Sequence, residues 1–202
     1  MVAGQLEARG IVDRRVLDAM AHVPREVFVG DDDRRRAYLD MPLRIGYGQT
    51  ISQPYMVAII CQTADVHEGN RVLDIGTGSG YQAAVLAELG ADVHTIERIP
   101  ELAEQARERL EQAGYGSVQV HVGDGSLGLP EHAPFDAIVV AAAAPDMPAS
   151  LYEQLVPRGR LVVPVGGPDG QRLEVIVASP EGPAVTRSVP CRFVPLLGAE
   201  GF

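Results

Sequence analysis

Three alternating glycines between a compact apolar run and a helical segment limit the folds open to this chain more than any other feature. The apolar run is Val72-Leu73-Asp74-Ile75, and the turn that follows is Gly76-Thr77-Gly78-Ser79-Gly80. Glycine is needed where φ must be positive, or where a ligand approaches the backbone too closely for a Cβ. A strand that passes through such a turn into a helix predicts a ligand site at the carboxyl end of that strand.

From Arg71 onward, short β-rich runs alternate with longer helical runs. Strands are predicted over 71–75, 92–96, 118–122, 135–141, 160–165, 173–178 and 184–189. Helices are predicted over 81–89, 100–113 and 148–155. This alternation with short links predicts a doubly wound, mostly parallel sheet covered by helices on both faces, with the last two strands antiparallel. Ligands bind such sheets beyond the carboxyl ends of the strands, where the strand order reverses.

The first 65 residues follow a different pattern. Residues 11–23 are amphipathic at helical spacing, and a connection rich in Pro, Gly and aromatic residues follows them. A second helix is predicted from Pro54 to Ala64, because proline is tolerated in a first helical turn. We therefore expect an N-terminal helical cap over residues 1–65, in front of a ligand-binding core over residues 66–202.

Acidic residues follow three successive predicted strands, namely Asp74, Glu97 and Asp124. The dinucleotide fingerprint needs a small residue where this chain has Tyr81. A carboxylate of Asp74 pointing into the crevice would repel a pyrophosphate but would suit a cation. S-adenosylmethionine carries an ammonium and a sulfonium and no phosphate, so the residues favour it over a nicotinamide dinucleotide. Glu97 is then expected to accept the ribose hydroxyls and Asp124 the adenine amino group.

The formal net charge of −10 argues against an extended nucleic-acid contact, which needs clustered basic residues. The basic run 34–36 directly follows the acidic run 31–33, so the local charge cancels. No apolar run reaches the roughly 18 residues that span a bilayer. The first ten residues show no cleavable apolar signal, so we expect a cytoplasmic protein. The five histidines are scattered without zinc-site spacing, and we predict no metal.

The segment Gly48 to Tyr55 places two hydroxyls, those of Thr50 and Ser52, before the second predicted helix. Either hydroxyl would serve as a helix N-cap or as a ligand contact. A serine-nucleophile interpretation is poor, because no G-x-S-x-G elbow surrounds Ser52.

With this segment included, nearly the whole chain resembles the protein-L-isoaspartate (D-aspartate) O-methyltransferases. The matching segments are 23–29, 37–40, 50–55, 72–81, 96–98, 123–125, 133–136, 141–148, 159–166 and 192–196. Many methyltransferases share the glycine turn. The combination of the T-I-S-x-P segment at 50–54 with the F-V-P-L segment at 193–196 is specific to this family. The resemblance implies the Rossmann-like fold of the class I S-adenosylmethionine-dependent methyltransferases.

The implied reaction is methylation of the α-carboxylate of L-isoaspartyl, and by extension D-aspartyl, residues in damaged proteins and peptides. The implied enzyme uses S-adenosylmethionine. We expect it to be a monomer that acts on neither nucleic acid nor membrane. Ser52 would be the catalytic residue that holds the acceptor carboxylate. The expected donor-binding residues are Thr50, Ile51, Ser52, Gln53, Asp74, Gly76, Thr77, Gly78, Ser79, Glu97, Arg98, Asp124 and Gly125. The expected substrate-binding residues are Ser52, Val194, Pro195, Leu196 and Leu197.

This sequence departs from the family at one position: some members carry a His seven residues after the motif Thr, where this chain has Val57. An aspartyl-type carboxyl has a reference pKa near 3.9 and is already anionic at neutral pH, so the reaction needs no general base. Two alternatives use the same fold. One is a small-molecule O- or N-methyltransferase, and the other is a non-catalytic module that binds S-adenosylmethionine.

Overall fold

A central sheet of seven strands organises the molecule, as described by a computed structural model that covers residues 1–202. Its strands are β3 (Arg71–Ile75), β4 (Asp92–Glu97), β5 (Gln119–Val122), β6 (Phe135–Val140), β7 (Leu155–Val165), β8 (Gln171–Ser179) and β9 (Gly182–Cys191). A separate hairpin is formed by β1 (Leu43–Gly46) and β2 (Gln49–Ile51). The helices are α1 (Arg14–His22), α2 (Pro54–Ala64), α3 (Tyr81–Glu88), α4 (Pro100–Gln112) and α5 (Ala149–Glu153).

The strand order is β5-β4-β3-β6-β7-β8-β9. Strands β3 to β7 are parallel, whereas β8 and β9 add antiparallel pairs at one edge. The predicted doubly wound sheet with late antiparallel strands is confirmed. The chain winds from β3 outward to β5 and then returns to place β6 on the other side of β3. The order therefore reverses between β3 and β6, and that is where such a sheet opens a crevice.

Two apolar clusters cover the two faces of the sheet. The larger joins buried residues of α1, α2 and α3 to Val72 of β3 and Val139 of β6. The smaller contains Leu73 and Ile75 of β3. Because successive strand side chains point to opposite faces, Asp74 shares the face of Val72. The two-sided burial explains why β6 is an almost continuous apolar run.

The N-terminal segment contains more than the two helices that were predicted for it. Besides α1 and α2, it contains the β1–β2 hairpin, whose turn is formed by Gly46, Tyr47 and Gly48, all at positive φ. Glycine adopts positive φ without steric cost, so the two glycines make this turn possible. Apolar residues from Leu6 onward belong to the same cluster as the sheet. We therefore propose that residues 1–65 and 66–202 are two segments of one folding unit.

The prediction was wrong at the start of β7, where a helix over 148–155 and a strand from Arg160 were expected. In the structure α5 ends at Glu153 and the strand begins at Leu155. Leu155 already pairs with Phe135 of β6, and the register shifts before Ala137 pairs with Arg160. An irregularity that interrupts a strand in this way leaves no periodic signal in the sequence.

Three of the histidines that are scattered along the sequence come together in the fold. His94 of β4, His121 of β5 and His132 lie together, with one ring nitrogen from each within 4.8 Å of the others. Separately, none of the helices is long and apolar enough to cross a membrane.

Candidate active site

A cavity at the carboxyl ends of β3, β4 and β6, called here the strand-end cavity, lies where the strand order reverses. Its empty volume is about 840 Å³ including its mouth. Its walls are Gln49, Thr50, Ile51, Ser52, Val57, Ile75, Gly76, Thr77, Gly78, Ser79, Tyr81, Gln82, Ile96, Glu97, Arg98, Ile99, Gly125, Ala141, Ala142, Val194, Pro195, Leu196 and Leu197. The sheet topology predicts a ligand at this position, and the structure has a cavity there that is lined by both polar and apolar residues.

The glycine turn forms the floor of this cavity. Gly76, Gly78 and Gly80 have φ values of +89°, +52° and +92°, a region that other residues adopt at a cost. At Gly78 an added Cβ would lie 3.3 Å from Cδ1 of Ile45 in the hairpin. Glycine therefore lets the β1–β2 hairpin approach the turn and close one side of the cavity.

Glu97 closes β4 and is 6% exposed. Its two carboxylate oxygens accept hydrogen bonds from the backbone N–H groups of Gly78, at 2.9 Å, and Ile99, at 3.0 Å. These bonds tie the glycine turn to the end of β4 and hold the carboxylate at the cavity wall. Each carboxylate oxygen has a second lone pair free, so Glu97 can still accept from a diol in the cavity.

Asp74 corrects one expectation, because its carboxylate does not point into the crevice. The side chain is fully buried on the face covered by α2 and α3 and is absent from the cavity wall. It accepts from Nε2 of Gln82, at 2.7 Å, and from Oγ1 of Thr95, at 2.9 Å. Burial raises the pKa of Asp74 to about 6, against the opposing effect of these two hydrogen bonds. At neutral pH it is therefore a buried anion behind the wall.

Gln82, which the sequence analysis did not select, connects Asp74 to the cavity. Its Nε2 donates to Asp74, whereas its buried Oε1 has no hydrogen-bond partner in the protein. Gln82 also lines the cavity. An unpartnered buried acceptor is costly unless a ligand satisfies it, so Gln82 marks a place for a cationic or N–H donor group. Its position at the start of α3, just after the glycine turn, was the available sequence signal.

Asp124 is the second correction, since its carboxylate is engaged by the protein itself. Oδ1 accepts from the backbone N–H and the hydroxyl of Ser126, and Oδ2 accepts from the N–H of Ala199, at 2.8 Å. These bonds hold the pKa of Asp124 below its usual value despite partial burial. Asp124 does not line the cavity, whereas the neighbouring Gly125 does. Asp124 thus anchors the segment that follows Leu197.

A second depression, called here the side groove, adjoins the strand-end cavity. Its walls are Arg9, Pro42, Thr50, Ser52, Gln53, Tyr55, Met56, Ala141, Pro190, Cys191, Arg192, Phe193 and Val194. Four residues belong to both walls, namely Thr50, Ser52, Ala141 and Val194. A group bound in one space can therefore meet a group bound in the other at this shared wall.

Ser52 lies in that shared wall with its hydroxyl free of any hydrogen bond within the protein. The N-cap of α2 is Gln53, whose side chain makes no capping bond, and the first-turn N–H of Tyr55 donates to Oδ1 of Asp40 at 2.9 Å. The N-cap interpretation of Ser52 is therefore wrong. Its backbone oxygen accepts from Nη2 of Arg25 at 2.7 Å. Arg25 is fully buried, and its guanidinium stacks over the Tyr81 ring, which fixes the Ser52 loop against α3.

The structure brings most of the expected residues together. Ten of the expected donor-binding residues line the strand-end cavity, whereas Gln53, Asp74 and Asp124 do not. Gln53 lies in the side groove. The four residues Val194, Pro195, Leu196 and Leu197 form one wall of the cavity. The N–H of Leu196 donates to the carbonyl of Ala143, and the N–H of Ala143 donates to the carbonyl of Val194, which holds this wall in place. Val57, the departure from the family, is buried and lines the cavity with a methyl surface.

Comparison with known proteins gives consistent results. The family model described as protein-L-isoaspartate(D-aspartate) O-methyltransferase matches residues 1–201. A protein-L-isoaspartate O-methyltransferase of Aeropyrum pernix is 54% identical, covering 98% of this chain and 78% of that protein. One from Gloeobacter violaceus is 53% identical, covering 97% and 96%. A Plasmodium falciparum protein-L-isoaspartate O-methyltransferase, crystallised with S-adenosyl-L-homocysteine, is 26% identical with a TM-score of 0.83, covering 95% of this chain and 94% of that one.

The sheet order, the glycine turn and the cavity above it define the fold of the class I S-adenosylmethionine-dependent methyltransferases. Two findings identify the family within that class. The family model matches residues 1–201, and the two curated relatives are more than 50% identical to this chain. The chain belongs to the protein-L-isoaspartate(D-aspartate) O-methyltransferase family.

Proposed function

We propose that this enzyme transfers the methyl group of S-adenosylmethionine to the α-carboxylate of L-isoaspartyl residues in proteins and peptides, and of D-aspartyl residues as a further substrate. The observation that carries the proposal is Ser52, whose unengaged hydroxyl lies in the wall shared by the strand-end cavity and the side groove. A donor in the cavity and a peptide carboxylate in the groove would meet at this serine.

The residues of the strand-end cavity fit the proposed donor. The free acceptor of Gln82 suits its ammonium, Glu97 suits a ribose diol, and the apolar residues Ile96 and Leu196 suit an adenine ring. The buried charge of Asp74 behind the wall favours a cationic ligand over a phosphate. When bound, S-adenosylmethionine supplies an electrophilic methyl on a positively charged sulfur.

The side groove fits an anionic acceptor. Arg9 and Arg192 line it. The Arg9 guanidinium stacks over Tyr55 and pairs with Asp40, whereas Arg192 forms no ion pair within the protein and supplies the free positive charge. Neither space is lined by histidine, and the chain contains no lysine, so neither of these bases is available at the walls. A carboxylate needs none, because it is ionised far below neutral pH. The role left to Ser52 is to donate one hydrogen bond that holds one acceptor oxygen while the other faces the methyl.

The bond changes balance without any proton transfer. One C–S bond breaks, one C–O bond forms, and a cation and an anion become a neutral thioether and a neutral methyl ester. A closed, poorly hydrated cavity favours such charge neutralisation. The following backbone amide then displaces methanol to give a succinimide, which hydrolyses in part to normal aspartate. These later steps need no group from the protein.

The decisive assay measures transfer of labelled methyl to three matched peptides with isoaspartate, D-aspartate or normal aspartate at one position. We expect transfer to the isoaspartyl peptide, weaker transfer to the D-aspartyl peptide and none to the normal peptide. Donor binding without transfer to any peptide would overturn the proposed substrate while leaving the donor assignment intact.

Gln82→Met should weaken donor binding about tenfold, because it removes one hydrogen bond to a charged ligand group, together with the bond that Gln82 donates to Asp74, while keeping the side-chain length. Isothermal titration with S-adenosylmethionine measures the effect. Gln112→Met, on the exposed end of α4, is the matched control and should bind normally. Equal affinity in both variants would show that Gln82 does not contact the donor.

Donor affinity should also depend on pH through Asp74. A cationic ligand favours the ionised carboxylate, so affinity is nearly full at about pH 7 and above and falls as the pH drops through the free-state pKa of about 6. If donor binding lowers that pKa by about one unit, the loss is about tenfold. Titration between pH 7.5 and about 5 should show less dependence for S-adenosylhomocysteine, which lacks the sulfonium. Asp74→Asn should remove the pH dependence of donor affinity. If this variant keeps the pH dependence, a group other than Asp74 causes it.

We further propose that the protein acts as a cytoplasmic monomer and that nucleic acid is not its substrate. The net charge of −10 supports the last point, because it opposes contact with a phosphate backbone. Light scattering coupled to size-exclusion chromatography gives the mass to compare with 21.6 kDa for one chain.

A further inference from the structure

A cluster of three histidines, called here the His triad, lies on the face of the sheet opposite Asp74. His94 projects from β4 on the same face as Ile96 and packs edge-on against Phe135. His121 comes from the edge strand β5, and His132 ends the short helical turn Pro130–His132. None of the three lines the strand-end cavity or the side groove. The proposed methyl transfer therefore does not account for the cluster.

The ring nitrogens lie close together, and the nearest two are at hydrogen-bond distance. Nδ1 of His94 and Nε2 of His121 are 3.2 Å apart, and the three nearest ring nitrogens all lie within 4.8 Å of one another. Tetrahedral coordination with metal–nitrogen bonds of 2.0–2.1 Å separates ligand nitrogens by about 3.3 Å. The first pair already matches that spacing. The remaining nitrogen has to move by at most about 1.5 Å, which half-buried rings such as that of His132 can do by rotation.

The chemistry of the surroundings suits a cation held by neutral ligands. No carboxylate forms an ion pair or hydrogen bond with any of the three rings, and the His132 ring makes no hydrogen bond within the protein. Burial and the neighbouring imidazoles, with Arg71 near His94 and Arg107 near His121, lower the pKa of both rings and so favour their neutral form. Neutral imidazole is the form that binds metal.

A contact outside the triad orients the buried ring. Nε2 of Gln119 lies 3.4 Å from Nε2 of His94, on the side away from His121. Metal binding through the inner nitrogen requires the outer nitrogen to carry the proton and to donate it, as in many metal sites. As placed, the Gln119 amide presents its N–H to the outer nitrogen, which leaves the proton of His94 on Nδ1. Turning the amide over presents its oxygen to Nε2–H and frees Nδ1 for an ion.

We propose that His94, His121 and His132 form a binding site for one divalent transition-metal ion, with Zn²⁺ as the best match in ligand type and spacing. Three imidazoles leave the fourth position of a tetrahedral ion to water. The site joins β4, the edge strand β5 and the turn at 130–132, so metal binding should hold this edge of the sheet together. Its expected effect is on stability rather than on methyl transfer.

The test is titration of tag-free, chelator-treated protein with Zn²⁺, Ni²⁺ and Cu²⁺ in competition with a chromophoric chelator. We expect one ion per chain and a rise in Tm that depends on metal concentration. His121→Gln and His132→Gln, at half-buried positions that tolerate the change, should each weaken binding by more than the roughly 10–100-fold loss typical of an outer-sphere partner. Nitrogen hyperfine splitting in the Cu²⁺ electron paramagnetic resonance spectrum should be lost or reduced in the same variants.

The double variant His22→Gln/His67→Gln is the matched control, because these two exposed histidines lie outside the triad. It should bind metal normally. Absence of stoichiometric binding in the unmodified protein would overturn the proposal. So would binding that survives both triad substitutions or disappears only in the double variant. Binding that weakens below about pH 6, as protons compete for the imidazoles, supports it.

Discussion

Ser52→Ala should lower kcat about 100-fold with isoaspartyl peptide while leaving the donor dissociation constant within about twofold of normal. The hydroxyl lies in the wall shared by the strand-end cavity and the side groove and has no partner within the protein. Removing it releases the acceptor carboxylate from one of its fixed positions, and misplacement by an ångström has about this effect on a transfer reaction. Single-turnover methyl transfer and titration of the donor measure the two quantities separately.

The structure also predicts that this variant folds normally. Ser52 does not cap α2, and its backbone contact with Arg25 does not involve the hydroxyl. Ser117→Ala, at an exposed turn, is the matched control and should show full activity. If Ser52→Ala retains normal turnover, the serine does not hold the acceptor, and Thr50 becomes the remaining hydroxyl of the shared wall.

Glu97→Ala should weaken donor binding at least about 100-fold, because hydrogen bonds to a charged group contribute roughly 1.5–3 kcal/mol each. Two such bonds to a ribose diol would be lost. The variant also leaves the N–H groups of Gly78 and Ile99 without their acceptor, so the glycine turn loses its tie to β4. Isothermal titration with S-adenosylhomocysteine gives the dissociation constant without turnover.

Two further variants separate the ribose contact from a general loss of charge or order. Glu97→Gln keeps the side-chain volume and one acceptor oxygen, so its affinity should lie between those of the unmodified protein and Glu97→Ala. Glu108→Ala removes an exposed carboxylate from α4 and should leave affinity unchanged. Donor affinity within threefold of normal in Glu97→Ala would refute the assignment of the diol to this residue.

The sheet and the position of its cavity could be predicted from the sequence because they follow from local patterns. Glycine spacing at 76–80 marks the turn, and apolar runs bounded by turns mark the strands. Few topologies are compatible with alternating strands and helices. The ligand site could therefore be predicted at the carboxyl ends of β3, β4 and β6. The residue-level resemblance added Ser52 and the 194–197 wall, which no periodicity would have selected.

The direction of individual side chains was harder to predict. Asp74 lies at the end of its strand, but the alternation of the strand turns it toward α2 and α3 rather than toward the crevice. Gln82 became visible only once its unpartnered oxygen was seen beside the cavity. The His triad depends on the register that places His121 of β5 opposite Ile96 of β4, and register is a property of the assembled sheet.

The walls of the strand-end cavity come from segments as distant along the chain as Gln49 and Leu197. During synthesis the amino-terminal part emerges first, at roughly 5–20 residues per second, and can begin to form structure while the remainder is still being made. Strands β3, β4 and β5 can therefore pair early, yet the pocket lacks a side until residues 194–197 have left the ribosome. Nascent chains should neither retain S-adenosylmethionine nor be stabilised by it, so ligand occupancy would serve as a marker of completed folding.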